Sequence, residues 1–257
     1  MNRILPGEVF SNTNNFDTGI RQLLPRYDEM LDTITNCLPQ DCQRILELGC
    51  GTGELSLKIL RKFPNVEVIA LDYSPRMIQF ATSKVTEAGY QQRWTGIEAD
   101  FGDWANNSEV IGTNVDTRKI NIKFDACVSS LAIHHLSNGM KLKLAKQVCQ
   151  SLNSHGCFWN ADPVLPESPA IKEAYHLARE KWALEQGKDL SEIRSQLAMN
   201  DQSVDYCSSY GHSAQDQLAT LNSHLTMLSK AGFQTIAVPW KYYGLAVFGG
   251  WVEFIEQ

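Results

Sequence analysis

Residues 45–54 read Ile45-Leu46-Glu47-Leu48-Gly49-Cys50-Gly51-Thr52-Gly53-Glu54, and the fold is decided here. An apolar run with the look of a buried strand meets glycines at 49, 51 and 53 and then enters a helix. Glycine is needed where a backbone turns tightly and approaches a ligand with no Cβ in the way. Dinucleotide binders use G-x-G-x-x-G, which would place the third glycine at 54, where this chain has Glu54. A carboxylate at that helix start opposes a pyrophosphate, which the helix end otherwise attracts. No G-K-[ST] follows, which disfavours a nucleoside triphosphate loop. The expected ligand therefore carries adenosine without phosphates, and a positive ammonium on it would suit Glu47.

Reading outward, the second strand ends in Ile69-Ala70-Leu71-Asp72-Tyr73-Ser74. An aspartate at a strand tip about twenty residues past the glycines is placed to accept hydrogen bonds from both hydroxyls of a ribose. The third strand ends Glu98-Ala99-Asp100-Phe101. Asp100 is placed to accept from an adenine amino group, while Phe101 or Met77 packs on the ring. Acidic residues at the tips of three successive strands form one pattern, whereas each alone could be a helix cap.

From Arg44 onward short apolar runs alternate with amphipathic stretches, as in βαβ units around a mostly parallel sheet. Strands are expected over Arg44–Gly49, Val66–Tyr73, Trp94–Asp100, Phe124–Leu131, Cys157–Pro163, Gln234–Tyr242 and Leu245–Trp251. The last two are separated only by a turn at Gly244 and predict an antiparallel hairpin. Ser74-Pro75 supplies a cap and first-turn proline for a helix over Arg76–Ala88, and Ser137 starts one over Asn138–Leu152. Ser213-Ala214-Gln215-Asp216 reads as a capping box before Gln217–Ala231, which Gly232 closes.

A single domain is expected over 1–257, with two segments outside the alternation. Residues 1–43 hold Arg21, Arg26 and Tyr27. Residues 164–212 hold a helix from Ser168-Pro169 to Gly187, a second over Ser191–Met199, and a polar, aromatic loop over Asp205–His212. Both read as helical lid segments over the strand ends.

Net charge is -6 over 257 residues, so most of the surface repels a phosphate backbone and disfavours nucleic-acid substrates. The N-terminal MNRILPGEVF lacks the apolar core of a signal peptide, and no run reaches the roughly 18 apolar residues of a membrane span. Seven scattered cysteines, with no C-x-x-C pair, suggest reduced thiols in a cytoplasmic protein and neither zinc site nor disulfide framework.

Taken together, ELGCGTGEL, the ALDYS strand end, EADF, FDACVSSLAIHHL and LSKAGF resemble the successive motifs of class I S-adenosylmethionine (SAM)-dependent methyltransferases, over about residues 40–160 and 213–251. The resemblance implies an α/β Rossmann-like sheet of seven strands, order 3-2-1-4-5-7-6, with strand 7 antiparallel. It implies SAM over the ends of strands 1, 2 and 4, and a small-molecule methyl acceptor. Carried over by motif position, Glu47, Gly49, Gly51 and Gly53 flank the methionine part. Asp72 takes the ribose, Asp100 and Phe101 the adenine, and Ser130 lines the methionine side; Cys50, Tyr73 and Met77 complete the set. Leu24-Pro25-Arg26-Tyr27 resembles the P-G-Y element of carboxy-SAM synthases, whose tyrosine reaches the cofactor; Tyr27 is the carry-over, and Arg26 stands where that element has glycine.

For chemistry, His134 and His135, just past strand 4, are candidate bases, although structural roles are open to both. Asp162, at the tip of strand 5, could bind polar groups of the acceptor or end the strand. Tyr206 and Tyr210, in the polar loop, are candidate acceptor contacts. Other readings stay open: tRNA or protein modification, a carboxy-SAM-synthase-like enzyme in which Arg21 or Arg194 captures a second acid, and a non-catalytic SAM-binding module.

Overall fold

In a computed structural model of the chain, residues 16–106, 120, 122–192 and 216–253 are described. The sheet is nucleated by β1 (Arg44–Leu48), which pairs in parallel with β2 (Glu67–Asp72) and with β4 (Phe124–Ser130). Outward of β2 lies β3 (Trp94–Glu98); outward of β4 come β5 (Leu152–Pro163), β7 (Leu245–Trp251) and the edge strand β6 (Thr235–Tyr242). The order is β3-β2-β1-β4-β5-β7-β6, with β7 antiparallel to both neighbours, as the resemblance implied. Sequence pattern explains the placement. Ile45, Leu46 and Leu48 are buried on both faces of a central strand, whereas β6 alternates exposed and half-buried positions along an edge.

Helices cover both faces. α3 (Glu54–Lys62) and α4 (Pro75–Glu87) follow β1 and β2, α5 (Phe101–Ala105) follows β3, and α6 (Asn138–Ser151) follows β4. The caps are those the sequence offers. Ser74 Oγ accepts from Met77 N, Ser137 Oγ from Met140 N, and Ser168 Oγ from Ile171 N at the start of α7 (Pro169–Glu185), each at 3.3 Å.

Two boundaries differ from expectation by four residues or more. β5 begins at Leu152, five residues before the expected Cys157, because Leu152 already pairs with Phe124 ahead of a register shift. α8 (Leu221–Ala231) is capped by Thr220, whose Oγ1 accepts from Ser223 N at 3.2 Å, so it starts four residues after Gln217. Asp216 and Gln217 are instead turned toward the loop after β4, where Gln217 N donates to His134 O at 2.8 Å. Ser213, Ala214, Gln215, the helix expected at Ser191–Met199 from residue 193 on, Arg194, Tyr206 and Tyr210 lie outside the described residues.

Before the sheet, α1 (Phe16–Leu23) and α2 (Tyr27–Asn36) pack on the core. α2 buries Tyr27, Met30, Leu31 and Ile34, a helical i, i+3, i+4, i+7 face. The last three have no exposure, and each such burial stabilises by at most about 1.5–3 kcal/mol. The two helices meet at Arg26, which holds the left-handed conformation (φ 57, ψ 34) that a glycine adopts freely. Its guanidinium lies 4.8 Å from the centre of the Tyr242 ring. Arg26→Gly is expected to change unfolding free energy by less than about 1 kcal/mol, since relieved strain is offset by added chain entropy and the lost stacking. Arg26→Val, branched at Cβ, is expected to cost about 2 kcal/mol or more. Denaturant melts check both; equal losses for the two would contradict the strain account.

Among the described residues no helix is long and apolar enough to cross a membrane.

Candidate active site

Where β1 ends, the chain bends toward β2. Gly49 N and Cys50 N both donate to Leu71 O, at 2.7 and 3.1 Å, which brings Gly51 N to Asp72 Oδ2 at 2.8 Å. The turn is closed by Gly53 N donating to Cys50 O. All three glycines have positive φ (72, 51 and 81), yet their surroundings differ. A Cβ on Gly49 would overlap the Ala132 side chain, and one on Gly53 would stand 3.2 Å from Ala81 Cβ. One on Gly51 would meet nothing within 4 Å, because that residue faces a cleft.

The cleft holds about 260 Å³ at the carboxyl ends of β1, β2 and β4. Its walls bring together Tyr27, Glu47, Gly49, Cys50, Gly51, Asp72, Tyr73, Asp100, Phe101, Ser130 and His135 of the expected residues. Gly53, Met77, His134 and Asp162 are not on the wall. Met77 is 2% exposed in the first turn of α4, and Asp162 is wholly buried. Sequence reading missed Phe16, Thr52, Glu54, Leu55, Leu131, Ala132 and Leu136, which complete the lining. The signal for the loop members was their adjacency to named glycines; Phe16 had none.

Electrostatics of the lining are one-sided. Glu47, Glu54, Asp72 and Asp100 contribute carboxyl groups, and no lysine or arginine is among the lining residues described. Full burial pushes the Glu47 carboxyl up to about 8, although Ser56 Oγ donates to it and is itself held by Trp94 Nε1 at 2.8 Å. Burial also raises Glu54, but Lys84 and Arg21 together outweigh it and hold the group below its usual range. Those partners belong to a clamp: Arg21 also donates to Asp28 at 2.8 Å, Lys84 to Asp17, and Thr52 Oγ1 to Asp17 at 2.6 Å. The clamp ties α1 to α3 and α4 across the cleft mouth. Asp72 uses Oδ1 on Ser74 N at 3.0 Å, and Asp100 Oδ1 caps α5 on Gly102 N at 2.7 Å. Ser130 Oγ is buried with no hydrogen-bond partner among the described residues.

The histidine pair divides. His135 is on the wall with its side chain 23% exposed, while His134 lies behind it, its Nδ1 2.7 Å from Asp162 Oδ1. Burial would lower His134, but the Asp162 carboxylate outweighs it and the pKa rises; burial and then His134 lower His135.

A glycine cradle open to space, a lining with four carboxyl groups and no described lysine or arginine, and a serine hydroxyl with no partner among the described residues fit a cationic, phosphate-free adenosine ligand with an amino-acid tail. Comparison with known proteins agrees. Residues 45–156 match the methyltransferase domain family. The chain is 23% identical over 238 residues, 91% of its length and 88% of the other's, to a carboxy-S-adenosyl-L-methionine synthase of Nautilia profundicola. It is 26% identical over 157 residues to a malonyl-[acyl-carrier protein] O-methyltransferase of Acetivibrio thermocellus, covering 60% of this chain and 47% of that one. The fold superposes on an O-methyltransferase family protein from Burkholderia thailandensis with a TM-score of 0.58 at 11% identity, over 87% of this chain. The chain spans 55% of that longer structure. These likenesses support a class I SAM-dependent methyltransferase with S-adenosylmethionine as its cofactor.

Proposed function

We propose that the enzyme transfers the methyl group of SAM to an oxygen, nitrogen or carbon nucleophile of a small molecule. The observation that carries this reading is the acidic cleft lined by His135, Ser130 and Tyr27. S-adenosylmethionine supplies a methyl group made electrophilic by its sulfonium. The chain's own work is then alignment and exclusion of water, and positioning alone supplies roughly 7–11 kcal/mol in favourable cases.

Each wall residue has a part. Glu47 pairs with the ammonium, Gly49, Cys50 and Gly51 lie along the amino-acid tail, and Ser130 Oγ gains a partner there. Asp72 accepts from the ribose hydroxyls beside Tyr73, and Asp100 and Phe101 bracket the adenine. Gly53 and Met77 shape the loop from behind. Phe16 and Tyr27 roof the cleft, and α1, α2 and α7 act as the lid that keeps water out. A hydroxyl or amine acceptor loses its proton on the His135 side, with His134 and Asp162 as support; a carboxylate acceptor needs no base. Tyr206 and Tyr210 remain candidates for acceptor contact.

Because burial pushes the Glu47 carboxyl up to about 8 and pairing with the ligand ammonium favours its carboxylate, binding is expected to release a proton. Calorimetry at pH 7 in buffers of different ionisation enthalpy is expected to show release of roughly one proton on SAM binding. Glu47→Gln is expected to release none. Buffer-independent heats for the parent protein would contradict the pairing.

Methyl release measured over phenols, amines and carboxylic acids, alongside bulk tRNA and protein, tests the acceptor class. Turnover on one small-molecule group supports the reading, and turnover only on tRNA or protein overturns it. The synthase relative favours a second reading, capture of a second acid and formation of a carboxylated cofactor. Against it, Arg21 is committed to Asp28 and Glu54. Mass spectrometry of the adenosine product separates the two.

A further inference from the structure

Around His135 and behind the cleft wall lies a cluster whose geometry offers more than a proton acceptor. His134 and His135 sit on the turn after β4, Asp162 at the end of β5, and Asp216 on the segment before α8. Their side chains are well buried: 9% exposed for His134, 0% for Asp162, 6% for Asp216 and 23% for His135. Asp162 has a fixed task. Its Oδ2 accepts from Asn160 Nδ2 at 3.0 Å and its Oδ1 faces His134 Nδ1, so the ring keeps its proton on Nδ1 and donates it in a hydrogen bond to the carboxylate. In the neutral ring this leaves the lone pair of Nε2 facing Asp216 Oδ1.

That contact is 3.7 Å long, beyond a hydrogen bond. His135 Nδ1 lies 3.2 Å from the same oxygen, yet it is buried without an aligned hydrogen bond. Three potential ligand atoms thus converge, all within 4.8 Å of one another. Ligand atoms bound at about 2.0–2.2 Å around a tetrahedral ion stand some 3.3–3.6 Å apart, so small rotations suffice. Two imidazoles and a carboxylate are a donor set suited to zinc and to other first-row divalent ions. A carboxylate fixing the far nitrogen of a ligating histidine is the usual support of such a site. The positive neighbour is Lys141, whose ammonium is turned to Gln217 O and Asn138 Oδ1.

We propose that His134 Nε2, His135 Nδ1 and Asp216 form a divalent transition-metal site, with Asp162 as the positioning residue for His134. His135 is the ligand on the cleft wall, so the fourth coordination position opens on that side. There the ion would hold an acceptor through a hydroxyl, thiol or carboxylate and favour its deprotonated form, taking the place of a free histidine base. This role rests on the proposed methyl transfer; occupancy of the site does not.

The experiment uses the full chain without a histidine tag, stripped with chelator and titrated with Zn²⁺ and Co²⁺. One equivalent is expected to bind, with visible ligand-field bands from the Co²⁺ form and a higher melting temperature on saturation. Asp216→Asn and His134→Gln are expected to lose the bands and the thermal shift, and Asp162→Asn to weaken binding by roughly 10–100-fold. Asp216 is off the cleft wall, so unchanged SAM affinity in Asp216→Asn shows that the variant is folded. No binding at micromolar metal, or one equivalent bound equally by Asp216→Asn and His134→Gln, overturns the site and leaves a proton as the occupant. Metal binding without SAM binding would instead overturn the cofactor roles while the metal site stands.

Discussion

Gly49→Ala is expected to lower the melting temperature by about 6–12 °C. Two costs add at this position. A φ of 72 puts an alanine in the left-handed region, worth roughly 1–2 kcal/mol. The new methyl also overlaps Ala132 Cβ, so the glycine loop or the turn after β4 must move, at about 1–3 kcal/mol. A total near 3 kcal/mol shifts the midpoint of a chain this size by that amount. Gly51→Ala is the informative control. Its φ of 51 carries the same strain but the Cβ meets no atom within 4 Å, so the stability loss should be about half. Its methyl enters the cleft and should instead weaken SAM binding. Thermal melts and calorimetry on the pair check this, and equal midpoints would contradict the assignment of close packing to one glycine and ligand approach to the other.

Asp72→Ala is expected to weaken SAM affinity at least tenfold, and up to about a hundredfold. A hydrogen bond to a carboxylate contributes roughly 1.5–3 kcal/mol, so the net loss of one such bond gives that range. The same carboxylate holds Gly51 N and Ser74 N, so its loss also loosens the loop that cradles the ligand. Affinity for the demethylated cofactor should fall in parallel, since both ligands share the ribose. Calorimetry with both ligands gives the answer, and unchanged affinity overturns the ribose assignment.

Much of this architecture is readable locally. Gly49, Gly51 and Gly53 mark the turn because no other residue takes three left-handed conformations in five positions so cheaply. Ser74, Ser137 and Ser168 mark helix starts because their hydroxyls need only reach an amide three residues on. The capping box at Ser213–Asp216 misled for the complementary reason. Its described last residue is used by a tertiary contact with His135, and Thr220 offers α8 a cap closer to its apolar face. Tertiary placement also separates His134 from His135. Adjacent residues of one turn point one behind the wall and one onto it, and nothing in the pair itself says which. Asp216 joins them from some 80 positions away, without a local signature. The arginine in the glycine position of the P-G-Y-like element holds a left-handed backbone of the kind glycine adopts freely, a conformation its residue type does not announce.

Titration of the purified chain with SAM, its demethylated product and a nicotinamide dinucleotide tests the central claim most directly. Saturable one-site binding of the first two, with none of the third, is the predicted result. A protein indifferent to both adenosyl amino acids that nonetheless takes up the dinucleotide would contradict it.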